Sequence, residues 1–209
     1  MTTAVPVPSF TEPAPGPRLE RVAAALAARD FAAEILPGAA AARVRVRDLI
    51  PAGASVLTGA SETLRLSGID EDVNQGGRYA AIRPRVLAMD RATQSGEIRR
   101  LLASPDVSLG SVAAVTEGGS LVIASGSGSQ LPALAGGAGR VILVIGAQKV
   151  VPGLPAALRR VEEHCLPLES ARAQQAYGMP SAVNRVLILN ADPLPGRVTV
   201  LLLREAIGF

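Results

Sequence analysis

The stretch SVAAVTEGGSLVIASGSG, Ser111 to Gly128, decides the fold. Its two apolar runs, SVAAVT and SLVIAS, are short, rich in Val and Ile, and lack the polar alternation of a strand with one wet face. Such runs suit a sheet that is covered on both sides. Gly118-Gly119 between them reads as a tight turn. A further run of the same kind, RVILVIG, follows at 140–146. A helix over 111–124 would end this reading.

Working outward, similar runs predict strands at 31–36, 54–58, 111–115, 120–124, 140–145, 185–190 and 198–203. Between them lie helical patterns. In PRLERVAAALAARD, Leu19, Val22, Ala23, Leu26 and Ala27 recur at three-and-four spacing. In AAARVRVRDLIP, VRVRD alternates like a strand, whereas Ala42, Val46, Leu49 and Ile50 keep helical spacing; Pro51 as a stop favours the helix. Val86, Met89, Ile98, Leu101 and Leu102 predict one long helix kinked at Ser95-Gly96. PAALRRVEEHC starts a helix at Pro155, and ESARAQQAYG reads as another that ends at Gly178. RVLILN and RVTVLLLR, joined by the turn-rich ADPLPG, predict a closing antiparallel hairpin. The sum is a three-layer α/β domain with a mostly parallel or mixed sheet flanked by helices.

The chain has 209 residues, 48% apolar and 19% charged, enough to bury one core. Residues 1–17 hold five prolines and no apolar period, which predicts a disordered tail without core contacts; the domain proper spans 18–209. That start lacks the basic and apolar regions of a signal peptide, so a cytoplasmic protein with no membrane segment is expected. Aromatics are 2% with no Trp, which argues against base-stacking platforms. The net charge of +3 arises from 21 basic residues, of which only Lys149 is lysine, against 18 acids interleaved with them. No nucleic-acid partner is expected from that mixture. Cys165 is the sole cysteine and His164 the sole histidine. Two adjacent residues cannot close a metal site, and the pair reads as the exposed end of a helix.

Four stretches carry candidate chemistry. TGASETLRLSG, Thr58 to Gly68, is a strand end, a small-residue turn and a helix start. There Gly59, Ser61 and Thr63 can offer N–H and hydroxyl donors to an anion. Glu62 would repel the same anion, and Ser61 also reads as a plain N-cap. In TEGGS, Gly118 and Gly119 read as ligand contacts or as turn residues, and Glu117 as a solvated charge or a reactive carboxylate. SGSGSQ, 125–130, lacks the spacing and lysine of a nucleotide loop and is kept as a lid or ligand contact. Lys149 ends the strongest apolar run, where an α/β sheet collects ligands, and can anchor an anion. One cleft is expected to unite Gly59, Ser61 and Thr63 with Glu117, Gly118 and Lys149.

TGASETLRLSGI at 58–69, SVAAVTEGGSLVIASGSG at 111–128 and VILVIGAQKVV at 141–151 resemble, in order and spacing, the LUD domain family, typified by lactate-utilisation protein C. The likeness covers roughly residues 18–203, and the chain is similar to a divergent member. It implies the fold of the ribose-5-phosphate isomerase, glucosamine-phosphate deaminase and coenzyme A transferase group. It implies phosphate binding at the turn after the first strand and, from the transferases, a nucleophilic Glu117. It also implies an accessory part in L-lactate to pyruvate oxidation, beside iron-sulfur partner proteins. With one cysteine the chain cannot hold a cluster itself, and no cofactor is expected. The alternative is an autonomous phosphosugar or acyl-CoA binder, or a transferase-like or isomerase-like enzyme.

Overall fold

The computed structural model describes residues 10–209. The chain begins with α1 (Gly16–Ala27), β1 (Ala32–Leu36), α2 (Ala39–Leu49), β2 (Ser55–Thr58) and α3 (Glu62–Leu66). It continues through α4 (Ile69–Gln75), β3 (Ala80–Ala81), α5 (Ile82–Leu87), α6 (Ser95–Ala103), β4 (Val107–Gly110) and β5 (Ala114–Thr116). Next come β6 (Leu121–Ser125), β7 (Arg140–Gly146) and β8 (Val150–Val151). α7 (Leu154–Arg160) then runs through a π-helical turn, Val161–Cys165, into α8 (Leu166–Tyr177), ahead of β9 (Arg185–Leu189) and β10 (Val198–Leu203).

Six strands form an all-parallel sheet in the order β1-β10-β7-β4-β2-β3. Because successive side chains point to opposite faces, β7 serves two cores at once. Val141, Leu143 and Ile145 pack with Leu19, Val22 and Leu26 of α1 and Ile98 of α6. Ile142 and Val144 pack with Ala42 and Val46 of α2, Leu64 of α3 and Val73 of α4. That two-sided cover is why these strands read as unbroken apolar runs.

β8, β5, β6 and β9 make a smaller mixed sheet in that order. Val115, Leu121, Ile123 and Val150 face the main core. Ala114, Val122 and Val151 face α7 and the π-helical turn through Ala157 and Val161. The molecule is thus α/β, with a mostly parallel sheet between helical layers and a small sheet attached at one end.

Several details differ from expectation. The seven expected strands divide between two sheets, and the break falls where the sequence looks continuous. The apolar stretch around 107–116 is two strands, β4 and β5, separated by Ser111–Ala113. VILVIGAQKVV is likewise β7 and β8, separated by a short turn at Ala147–Lys149. β9 and β10 form no hairpin: β10 lies between β1 and β7, and β9 pairs antiparallel with β6. Burial explains it. Every residue of β10 is buried, so it needs neighbours on both edges and cover on both faces, whereas β9 exposes Arg185 and Val186 and suits an edge. The expected long helix is two, α5 and α6. Asp90 holds the bend between them by accepting from the Ala92 amide at 2.9 Å and the Thr93 hydroxyl at 2.7 Å.

Of the expected tail, residues 1–9 lie outside the described residues. Within 10–17, Phe10 and Ala14 are buried, so the expected absence of core contacts does not hold there. Apolar side chains flanked by prolines still find a groove, because proline fixes an extended path without hindering its neighbours' burial.

Candidate functional site

The crossings from one sheet to the other build the site. β2, β4 and β7 are adjacent and parallel, so Gly59, Ser111 and Ala147 all leave carboxyl ends on one side of the large sheet. Ligands of α/β proteins collect at such ends. A cavity of about 800 Å3 opens there. Its walls include Gly59, Ser61, Ser111, Val112, Lys149, Cys165 and the Ser125–Gln130 loop.

Crossing segments belong to neither ladder, so their backbone polar groups need other partners. Two buried cations supply them. Lys149 Nζ stands 3.1 Å from the Val112 carbonyl oxygen, 3.1 Å from Ser111 Oγ and 3.0 Å from Thr63 Oγ1. Arg160, fully buried, donates to the Ala113 carbonyl, to Cys165 Sγ at 3.0 Å and to the Phe10 carbonyl at 3.3 Å; its Nε is left without a partner. Among the described residues, the one carboxylate buried to a like degree is Asp192, which is paired with Arg197 at 2.6 Å.

This charge pattern sets the local titration. Burial, helped by the Arg160 guanidinium, pulls the Lys149 ammonium down to about 7. Burial, with Arg160 and Lys149 adding to it, brings His164 down to about 4, so its imidazole is neutral at pH 7. Burial pushes the Cys165 thiol up despite the two cations. Cys165 is therefore a thiol on the wall and not a ready nucleophile.

His164 and Cys165 are not the exposed end of a helix, as expected; both are buried mid-helix. The π-helical turn, a single inserted residue that often marks functional sites, rotates both toward the core. No group of His, Cys, Asp and Glu able to hold a metal occurs among the described residues.

The expected cleft is realised only in part. Gly59 and Ser61 line the cavity, and Thr63 lies just behind it, buried and bonded to Lys149. Ser61 caps α3, accepting from the Leu64 amide at 3.3 Å, and Glu62 is held by Arg65 one turn on at 2.7 Å. Lys149 is on the wall, and so is the SGSGSQ loop through Ser125, Ser127, Ser129 and Gln130.

Glu117, Gly118 and Gly119 do not line the cavity. Their turn packs on α1: Arg18 pairs with Glu117 at 2.8 Å, and Arg29 donates to the Gly118 carbonyl. Gly119 has φ +84°, and a Cβ there would stand 2.8 Å from the Ala25 carbonyl oxygen, so close approach to α1 requires glycine.

Ser111, Arg160 and Arg91 were not foreseen as site residues. Arg91 lines the cavity and forms no ion pair among the described residues. A buried arginine has no mark in sequence, since it reads like the others of its helix. Gln148 offered a faint one, lying beside the sole lysine; it ties Ile207 and Gly208 to this end of the sheet by donating to both carbonyls at 2.9 Å.

Among solved structures, the chain is similar to a DUF162 family protein from Deinococcus radiodurans. Identity is 14%, the likeness covers 90% of this chain and 96% of that one, and the TM-score is 0.54, which speaks for the fold alone. No curated protein matches. The model of the LUD domain matches residues 19–201, nearly the whole of the described chain and all three segments that carry the resemblance. The chain belongs to the LUD domain family.

Proposed function

We propose that this protein binds a small carboxylate or phosphate-bearing metabolite in the cavity between its sheets. We further propose that it serves as an accessory component of L-lactate to pyruvate oxidation beside iron-sulfur partner proteins. The observation that carries the binding reading is a pair of buried cations, Lys149 on the wall and Arg160 behind it, with no buried carboxylate among the described residues paired to either. Uncompensated buried charge is costly, and an anionic ligand relieves it.

The lactate role rests on family membership. The redox step would belong to a partner, because one cysteine cannot ligate a cluster. No helix among the described residues is long and apolar enough to cross a membrane. A second reading, a phosphosugar or acyl-CoA ligand, draws on size: about 800 Å3 is ample for a drug-sized molecule and far more than a three-carbon acid fills.

A thermal-shift screen over lactate, pyruvate, phosphosugars and acyl-CoAs tests both, since a ligand of the native state raises the melting temperature. Stabilisation by lactate or pyruvate that vanishes in Lys149→Met is the expected result. Stabilisation by the larger ligands alone would favour the second reading, and no shift with any anion would sink the binding proposal.

A further inference from the structure

We infer that Lys149 is a Schiff-base lysine, whose ε-amine condenses reversibly with the carbonyl group of a small 2-oxo acid held in the cavity. The inference rests on the anion-binding reading above and deepens it.

The three oxygens around Nζ fix where the lone pair points once the ammonium loses a proton. Thr63 Oγ1 lies 3.3 Å from the Ile207 carbonyl and donates its own proton there, so toward Lys149 it can only accept. The Val112 carbonyl also only accepts. Those two contacts use both N–H bonds of a neutral amine. Ser111 Oγ, the third neighbour at 3.1 Å, accepts the third N–H of the ammonium; once that proton leaves, the lone pair points toward Ser111 on the cavity wall, and the hydroxyl turns to the entering carbonyl oxygen as the nitrogen attacks. Ser111 and Lys149 both line the cavity, so an entering carbonyl meets the hydroxyl and the amine together.

Burial beside a second cation is the setting that activates a lysine as a nucleophile, and Arg160 is that cation. The ammonium is already half dissociated near pH 7. No carboxylate pairs with Lys149 to hold its proton.

The step balances without any redox partner. The lone pair of Nζ forms a bond to the carbonyl carbon, and the carbonyl oxygen takes a proton through the Ser111 hydroxyl. The resulting carbinolamine expels that oxygen as water with one further proton, leaving a protonated imine. Overall, amine, carbonyl and one proton give iminium and water. The iminium keeps its positive charge next to the carboxylate of the 2-oxo acid, so the product carries a counter-charge for Lys149, whereas Glu62 and Glu169 on the wall are already paired with Arg65 and Arg172.

The sequence makes the test clean, because Lys149 is the only lysine and adducts elsewhere are confined to the chain's amino terminus. The full chain is incubated with pyruvate, reduced with borohydride, digested and analysed by mass spectrometry. The expected result is a gain equal to pyruvic acid less one oxygen atom on the peptide that contains Lys149. Ser111→Ala should trap at least about tenfold more slowly while unfolding at a similar temperature. Pyruvate that stabilises the protein but leaves Lys149 unmodified would overturn the inference and keep the binding reading. Pyruvate that neither binds nor traps would overturn both for this ligand.

Discussion

Two turns in this molecule look alike in sequence and behave in opposite ways. TGASETL and TEGGS each follow a strand, and each holds glycine, hydroxyl residues and one glutamate. The first leaves the large parallel sheet, keeps Gly59 and Ser61 on a cavity wall, and has its glutamate neutralised locally by Arg65. The second follows a three-residue strand of the small sheet and is clamped by Arg18 and Arg29 against α1. Composition is shared; the strand each turn leaves is not. What makes a turn a site here is its place at the crossing between sheets, and the four predictions that follow would break or sharpen that distinction.

The largest effect is expected from the turn that is not a site. Gly119→Val places a branched side chain at positive φ against the Ala25 carbonyl and should cost about 3 kcal/mol, read as a melting temperature lower by roughly 10 °C. Affinity for an anion, measured where the variant is folded, should not change. Gly59→Ala is the mirror case: a Cβ there meets nothing within 4 Å, so stability should hold within about 0.5 kcal/mol. An affinity loss in Gly119→Val as large as in a cavity variant would dissolve the distinction.

Next comes Lys149→Met. Loss of the wall cation should weaken anion binding by about 2 kcal/mol or more, roughly thirtyfold, in calorimetric titration. If binding survived unchanged, the crossing segments would be scaffolding only.

A third, smaller effect is a pH slope. The folded chain loses the Lys149 proton near pH 7, whereas the unfolded chain holds it to about 10.5. Over that window the unfolded state binds more protons, so stability rises with pH, by up to about 1.4 kcal/mol per unit. Cys165 acts oppositely above its ordinary value of 9.0, because its raised value leaves the folded chain with the extra proton. Denaturant titrations should therefore show stability climbing from about pH 7 to 9 and levelling beyond, and Lys149→Met should flatten the climb. A wild-type chain with no slope there would show that Lys149 stays fully charged.

The smallest effect is reserved for Glu117→Gln. Its ion pair with Arg18 is partly exposed, and such pairs contribute under about 1 kcal/mol. The substitution should leave stability and ligand binding nearly unchanged, and a collapse of binding would return Glu117 to the site.

The strands were legible because sheet burial writes itself as short Val and Ile runs, as in RVILVIG and VTVLLL. Their partners were not. β9 and β10 are neighbours in the chain and strangers in the fold, since pairing depends on which face each element must cover and no local pattern records that. The two crossings were hidden for a related reason: Ser111–Ala113 is small and apolar enough to blend into the strands around it, and nothing local marks the two residues after Lys149 as a strand of another sheet. Lys149 could be singled out only as the sole lysine after the strongest apolar run. Its burial rests on Thr63, Ser111 and Val112, and Arg160 behind it is held by Cys165 of the π-helical turn and by Phe10 folding back from a proline-rich stretch. Those are tertiary facts.

The place of β10 has a consequence for synthesis. β1 pairs with β10 across the register Ala32 to Thr199, and β7 pairs with β10 on its other edge. Until residues 198–203 leave the ribosome, the nascent chain therefore carries two open, apolar strand edges, and the middle of its main sheet is missing. Contacts this distant in sequence close slowly. A strand made after all its neighbours acts as the keystone of the main sheet, and the open edges on either side are exposed to aggregation until it is set.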